Sequence, residues 1–400
     1  MQAITRPKRR DCTRGTSRRS NADNTPVTLG SESANRSVLA VNSGSSSIKF
    51  ALFTLAPEPS ALIRGAIDEA ARATTVDEVL ERVADPLGTY PLAAVGHRIV
   101  HGGPALSAPQ LVTDQLLTTL RGLVSFAPNH LPAEIHLIDA VRRLRGDLPQ
   151  LVCFDTAFHA ALPDVARRLA IPSAYDAQGV RRYGFHGLSY TFLIHELERR
   201  AGHAQASGKV VLTHLGNGSS LAAVREGRCI DTSMGFTPIG GVVMSTRSGD
   251  LDPGVVTYIA RSTGMDADRV EHELSHRSGL KGVSGGVGDM RDLLAREATD
   301  DACRLAVSIY CYEITKRIGA YAAALGGLDA IVFSGGIGEH APAVRARICG
   351  GLEFLGISLD ERHNAENAAM ISMSTSRVAV HVIPTDEEVV IATAAYQLLH

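Results

Sequence analysis

From Ser37 onward the chain alternates between short apolar runs and breaks rich in glycine and serine. Val38 to Val41 is wholly apolar, small polar residues fill Asn42 to Ser47, and Ile48 to Phe53 resumes at roughly period two. Apolar runs bounded in this way predict two strands joined by a turn. The same pattern returns where Val210 to Leu212 leads through Leu215 to Ser220 and into Leu221 to Val224. Val38-Leu39 matches Val211-Leu212, and Gly44-Ser45-Ser46 matches Gly218-Ser219-Ser220, about 174 residues further on. The repeat implies either a duplicated domain or two unrelated hairpins. Further strands are expected at Ala94 to Val100, Leu151 to Phe154, Leu328 to Phe333 and Val378 to Ile383. Helical patterns run over Pro132 to Leu144, from about Leu293 to Ala323, over Ala341 to Gly350, and through a final stretch with Val389, Val390, Ala394 and Leu398 on one face.

Size and charge narrow the picture. With 400 residues, 44% of them hydrophobic, the chain can bury large cores, and its length favours two domains over one. Its 40 basic and 42 acidic residues nearly cancel, so composition supports neither a nucleic-acid nor a membrane partner. No apolar run approaches the ~20 residues a bilayer-spanning helix needs. The six cysteines stand far apart without a Cys-x-x-Cys pair, which points to reduced thiols in a cytoplasmic protein. Residues 1–36 differ in kind: basic, acid-poor and short of apolar side chains. They read as a disordered, dispensable extension or an overcalled start, with a transit peptide as the alternative.

The chemistry gathers at the breaks. Glycine turns let backbone N–H groups approach an anion, and Arg247, between Thr246 and Ser248, adds a fixed charge with fork geometry suited to phosphate or carboxylate. The stretch Val210 to Pro253 is therefore expected to handle phosphate. Asp155 follows an apolar strand, a position used equally by catalytic acids and by helix N-caps. His97 and His101 sit four apart, but the surrounding glycines and β-branched residues argue against a helix that would make them a metal pair. Two nucleotide motifs fail. Gly208-Lys209 is followed by Val210 where a P-loop needs Ser or Thr. Gly336-Ile337-Gly338-Glu339-His340-Ala341 lies too near the C-terminus for a dinucleotide fold to follow, though strand, glycines and helix N-terminus suit any nucleotide phosphate.

Taken in order, Asn42 to Lys49, Gly96-His97-Arg98, Phe154 to His159, Tyr183 to Gly187, His214 to Gly218, Thr232 to Pro238, Thr246 to Gly249, Gly336 to Glu339 and Pro384 to Glu388 resemble the acetate kinase family. The resemblance runs from Ser37 to the C-terminus. It implies an α/β fold of two duplicated actin-like, ribonuclease H-like domains with the active site between them, residues 37–159 plus 387–400 forming one and 160–386 the other. It implies magnesium, or manganese in its place, held at Asn42 and Glu387. ATP or ADP would be contacted by Lys49, by His214, Leu215, Gly216, Asn217 and Gly218, by Asp289, Met290 and Arg291, and by Gly336, Ile337, Gly338, Glu339 and His340. Arg98 would bind the acyl substrate, Asp155 would be the active-site acid, and His186 and Arg247 would stabilise the transition state. Val100, Asn129, Phe185 and Pro238 would surround the acyl methyl. The implied partners are acetate and acetyl phosphate, and a second copy in a homodimer.

Three positions depart from that pattern. Asn129 stands where the family usually has Leu, which leaves acetate, propionate and butyrate open as acceptors. Ser245 replaces a Gly, and Asp386 replaces an Asn beside the metal Glu, where its charge either tightens metal binding or is simply solvated. A carboxylate substrate is already ionised at neutral pH and needs no general base. Asp155 is therefore expected to position groups, with the base role as the alternative.

Overall fold

Two sheets with the same strand order organise the chain, in a computed structural model that describes residues 36–43, 47–68, 75–82 and 88–400. The first contains β1 (Ser37–Ser43), β2 (Ser47–Thr54), β3 (Ala61–Asp68), β4 (Leu92–Ile99), β5 (Gln110–Leu111) and β6 (Gln150–Phe154), ordered β3-β2-β1-β4-β6-β5. The second contains β7 (Lys209–Leu215), β8 (Ser219–Arg225), β9 (Arg228–Thr232), β10 (Ala330–Ser334) and β11 (Ala379–Val382), ordered β9-β8-β7-β10-β11. In each, three antiparallel strands are followed by two parallel ones. The repeat read from the two Gly/Ser breaks is thus a duplication, and β5 is an added edge strand on the first copy. The break at 44–46 and the basic segment 1–35 lie outside the described residues.

Both faces of each sheet are covered, which is why the central strands read as unbroken apolar runs. Val38 and Ala40 face Ile391, Ala392 and Ala395, while Leu39 and Val41 face Leu137 and Val141. In the second sheet Val211 and Ile331 pack on Val307, Tyr310 and Ile314; Val210 and Leu212 pack on Tyr190 and Leu193. The helices that matter below are α1 (Leu131–Leu144), α2 (Gly187–Ala201), α3 (Ala267–His276), α4 (Met290–Arg296), α5 (Asp301–Leu325), α6 (Gly335–His340), α7 (Pro342–Gly350) and α8 (Glu387–Leu399). No helix among the described residues is long and apolar enough to cross a membrane, and the five described cysteines are free and buried.

Two helix expectations need correction. The helix read from Leu293 to Ala323 is two helices, because the Asp300 carboxylate accepts the amides of Ala302 and Cys303 and starts α5 afresh. The helix expected from Ala341 is preceded by another, because the glycines after β10 themselves form α6, whose first residue, Gly335, has φ of +77°, with the place of a Cβ only 2.7 Å from the Leu215 carbonyl oxygen. No other residue type reaches that bend without strain.

Candidate active site

The parallel strands of the first sheet deliver opposite charges to one place. Arg98 ends β4, and Asp155 follows β6, its register partner. Arg98 donates to Asp155 Oδ2 from Nε (3.1 Å) and Nη2 (2.5 Å), and from Nη1 to the Ser43 carbonyl (2.9 Å). The alternative of Asp155 as a helix cap falls away: Oδ2 serves Arg98, and Oδ1 is buried with no hydrogen-bond partner. Burial raises the Asp155 pKa against the pull of Arg98, and the carboxylates around Arg98 hold the guanidinium firmly charged although burial opposes it. Glu134 on α1 lies 3.7 Å from Arg98 Nη1 and accepts the Val100 amide through Oε2 (3.0 Å). Burial pushes its carboxyl up to about 7.

The second sheet and its loops bring histidines and glycines. His186 caps α2 from the left-handed region, with φ of 58°, a strained place for a residue with a Cβ. Its Nδ1 is 2.8 Å from the Ser220 hydroxyl, which also meets the Tyr190 hydroxyl at 2.5 Å. The ring stacks on His214, centroids 4.1 Å apart, and His214 continues through Ser189 (2.9 Å) to Thr385 (2.8 Å). Burial, with the neighbouring cations, holds His186 far below the ordinary histidine range and His214 at about 4, so both rings are neutral at pH 7. Arg247 donates to the Pro238 carbonyl (3.1 Å); burial and the repulsion of Arg98 bring it down to about 10, still charged at neutrality. The two groups meet at the glycine turn: a Cβ on Gly218 would stand 3.4 Å from His186 Nε2 and 3.5 Å from Arg247 Nη1.

Arg98, Asp155, His186, His214, Gly218 and Arg247 line one cleft of about 800 Å³, whose walls also include Asn42, Lys49, Val100, Phe185, Gly216, Asn217, Pro238, Asp289, Met290, Arg291, Gly336, Ile337, Glu339, His340 and Glu387. Leu215 and Gly338 stand behind that wall. Leu215 is buried in the core, and the Gly338 carbonyl accepts the buried Arg345 (2.8 Å). Glu339 turns back to accept the amide of Gly335 (2.8 Å), and Asp289 caps α4 while pairing with Arg291.

Asn129 is a correction. Its side chain is exposed, reaches Glu271 at 3.4 Å, and borders a neighbouring cavity instead of the cleft. The Ala127-Pro128 bend turns it outward, and His130 lines the cleft in its stead. Asp386, partly exposed, caps α8 through the Val389 amide (3.1 Å) and pairs with Arg64 (2.5 Å). His97 bonds Gln150 (2.7 Å), while His101 accepts the Gly103 amide (2.8 Å), so they form no pair.

Sequence reasoning missed Glu134, Glu388, Ser220 and Tyr190. Glu134 had a readable signal, since it falls on the face of α1 that also carries Leu131, Ile135 and Ile138, where a carboxylate is rare without a partner.

The residues match what a hard divalent cation needs. The orphaned Asp155 Oδ1 and the carboxylates of Glu387 and Glu388, both drawn to the Asn42 amide (2.8 and 3.0 Å), offer oxygen alone. Among the described residues there is no cage of three or more His, Cys, Asp or Glu. Few protein oxygens, with water and phosphate completing the shell, is the habit of magnesium.

Comparison with known proteins agrees with this geometry. The Acetokinase family model matches residues 69–393. The acetate kinase of Rhodopseudomonas palustris is 44% identical over 393 residues, covering 90% of this chain and 98% of that one. The acetate kinase of Streptomyces coelicolor is 42% identical over 395 residues, covering 90% and 97%. Among solved structures, Porphyromonas gingivalis acetate kinase superposes with a TM-score of 0.82 at 32% identity, covering 91% of this chain and all (100%) of that one. A propionate kinase from Francisella tularensis gives 0.81 at 32%, covering 90% and 98%.

Proposed function

The chain belongs to the acetokinase family and is a kinase acting on acetate; from that premise we propose how its residues divide the work. The acceptor carboxylate binds at Arg98 with its methyl against Val100, Phe185 and Pro238. The nucleotide lies along Lys49, the turn His214 to Gly218, Asp289 to Arg291 and Gly336 to His340. Asn42 and Glu387 would hold magnesium, or manganese in its place, which would supply charge neutralisation for the phosphates. The observation that carries this reading is the meeting of Arg98 and Asp155 from one sheet with His186 and Arg247 from the other at a single cleft.

A transferring phosphoryl group spreads charge over three equatorial oxygens, so the protein's task is positioning and neutralisation. Arg247 donates to those oxygens. Neutral His186, steered by Ser220, offers Nε2 to the same place without adding another cation to a crowded cleft. Asp155 orients Arg98 through Oδ2, and its unpartnered Oδ1 would be available to the metal or to water bound to it. It moves no proton, since the acceptor carboxylate is already ionised. Asp155→Asn is expected to raise the magnesium concentration needed for half-maximal rate. An unchanged requirement with a displaced pH optimum would favour the base role instead.

The domain boundaries proposed are 37–159 plus 387–400 and 160–386, supported by the packing of α8 on the first sheet. A cytoplasmic location and a homodimer complete the reading. The helix Pro253–Thr263 buries no side chain and leaves Tyr258 69% exposed, a face a second copy would cover, and light scattering would show a monomer if it does not. Propionate is the second acceptor considered, because of the structural likeness to a propionate kinase. Trapping of the acyl phosphate with hydroxylamine, run with acetate, propionate and butyrate, decides the order. No product from any of them would overturn the assignment.

A further inference from the structure

A second cavity of about 170 Å³ adjoins the cleft, and His130, Pro238 and Arg247 line both spaces. Val100 and Phe185 line the cleft with these shared walls, and Arg247 also stands beside Gly218. A single water needs roughly 10–15 Å³ of such space, so there is room for part of a ligand. Acetate has nothing to send there, because with its carboxylate at Arg98 it ends at its methyl.

The lining says what would. Glu134 (2% exposed) and Ser275 (5% exposed) both border the cavity; Ser275 Oγ has no hydrogen-bond partner, and Glu134 Oε1 has none beyond its 3.7 Å ion pair with Arg98 Nη1. Buried polar atoms are nearly always hydrogen-bonded, and two that are not, on one cavity, mark a place for a polar group. A purely aliphatic chain would leave both without a hydrogen bond, the situation in which sites reject a substrate most strongly. Phe126 and Ile239 supply apolar wall for a short carbon chain, and the Asn129 amide reaches Glu271 across the two sides of the cavity (3.4 Å). Leucine at 129 would remove that polar edge.

Building on the acetate kinase reading, we propose that this cavity is an acyl subsite and that the chain also phosphorylates short hydroxycarboxylic acids, seating a hydroxyl on the third or fourth carbon between Glu134 and Ser275. The chemical step is that of acetate. A carboxylate oxygen forms a bond to the γ-phosphorus of ATP, the bond from that phosphorus to the bridging oxygen breaks, and ADP leaves with the electron pair. The hydroxyl is bound and unchanged, and no proton is transferred.

The test uses the full chain, ATP and magnesium, with hydroxylamine trapping that reads acyl phosphate and ignores phosphate esters. kcat/KM is measured for acetate, butyrate, 3-hydroxybutyrate and 4-hydroxybutyrate. One hydroxy acid is expected to exceed butyrate by roughly 10-fold, the worth of a hydrogen bond to a charged or orphaned partner. Ser275→Ala should remove most of that advantage, and Ala133→Leu, which fills the cavity, should lower the ratio of both four-carbon acids to acetate. A hydroxyl advantage below about twofold would mean that water alone occupies the cavity, and would overturn the proposal. So would an advantage that survives both variants. Absence of acetate turnover in the unaltered chain would instead overturn the kinase assignment on which the subsite rests.

Discussion

The two sheets share a strand order yet equip the ends of equivalent strands in opposite ways. Where β4 and β6 end, the first half places side-chain charge, Arg98 and Asp155, locked together at 2.5 Å. Where β10 and β11 end, the second half places backbone: Gly335 and Gly336 of α6 line the cleft, and the Gly335 and Thr385 amides are held by the Glu339 carboxylate. Compact, variable acids call for charged forks, whereas the long phosphate chain of a nucleotide is met by close backbone approach. Duplication thus supplied two identical frames, and the division of labour lies in a few residues after each strand.

The sharpest way to break this comparison is to remove the first half's charge. Arg98→Ala is expected to lower kcat/KM for acetate by roughly 10³-fold or more and to cost about 3–5 kcal/mol of stability, because Asp155 is left buried and unpaired. Adding Asp155→Asn should restore denaturation resistance but not turnover. If activity returned with it, the pair would be structural only. In the second half, Gly218→Ala pushes a methyl between His186 and Arg247 and is expected to raise KM for ATP by roughly 10-fold with a smaller change for acetate, about one hydrogen bond's worth. An equal rise for both substrates would blur the division.

A smaller effect separates the halves by pH. Glu134 has its carboxyl raised from 4.5 to about 7 by burial, so the folded state keeps a proton the unfolded chain loses, and stability falls as pH rises from 4.5 to 7. His214, lowered from 6.5 to about 4, acts the other way: the unfolded chain takes the proton first, and stability falls as pH drops below 6.5. Glu134→Gln should flatten the first limb in thermal melts and leave the second. The smallest effect is expected from Asn129→Leu, whose exposed side chain lies off the cleft: acetate kcat/KM should change by about twofold or less.

Much of this was legible in the chain itself. Val38 to Val41 and Val210 to Leu212 announced central strands because burial on both faces permits no polar alternation. Arg247 stood out as a fixed charge beside small polar residues and glycine, whereas the roles of Arg98 and Asp155 came from the family resemblance. What stayed hidden depends on long-range packing. Asn129 was read inward because nothing local records the outward turn at Pro128. The break at Asp300 was lost within a periodic pattern that continues on either side of it. Asp386 found Arg64, 322 positions away, by a pairing that only the assembled sheet provides.

The chain leaves the first sheet for the second by way of α2 and comes back through α8, so any rocking of one half against the other pivots on these two helices. His186 and Glu387, their opening residues, sit at the axle and keep their spacing. Asn129 and Glu271, out on the rim, would travel furthest. A pair of fluorescent labels at the rim would therefore report opening and closing while leaving the reacting groups undisturbed.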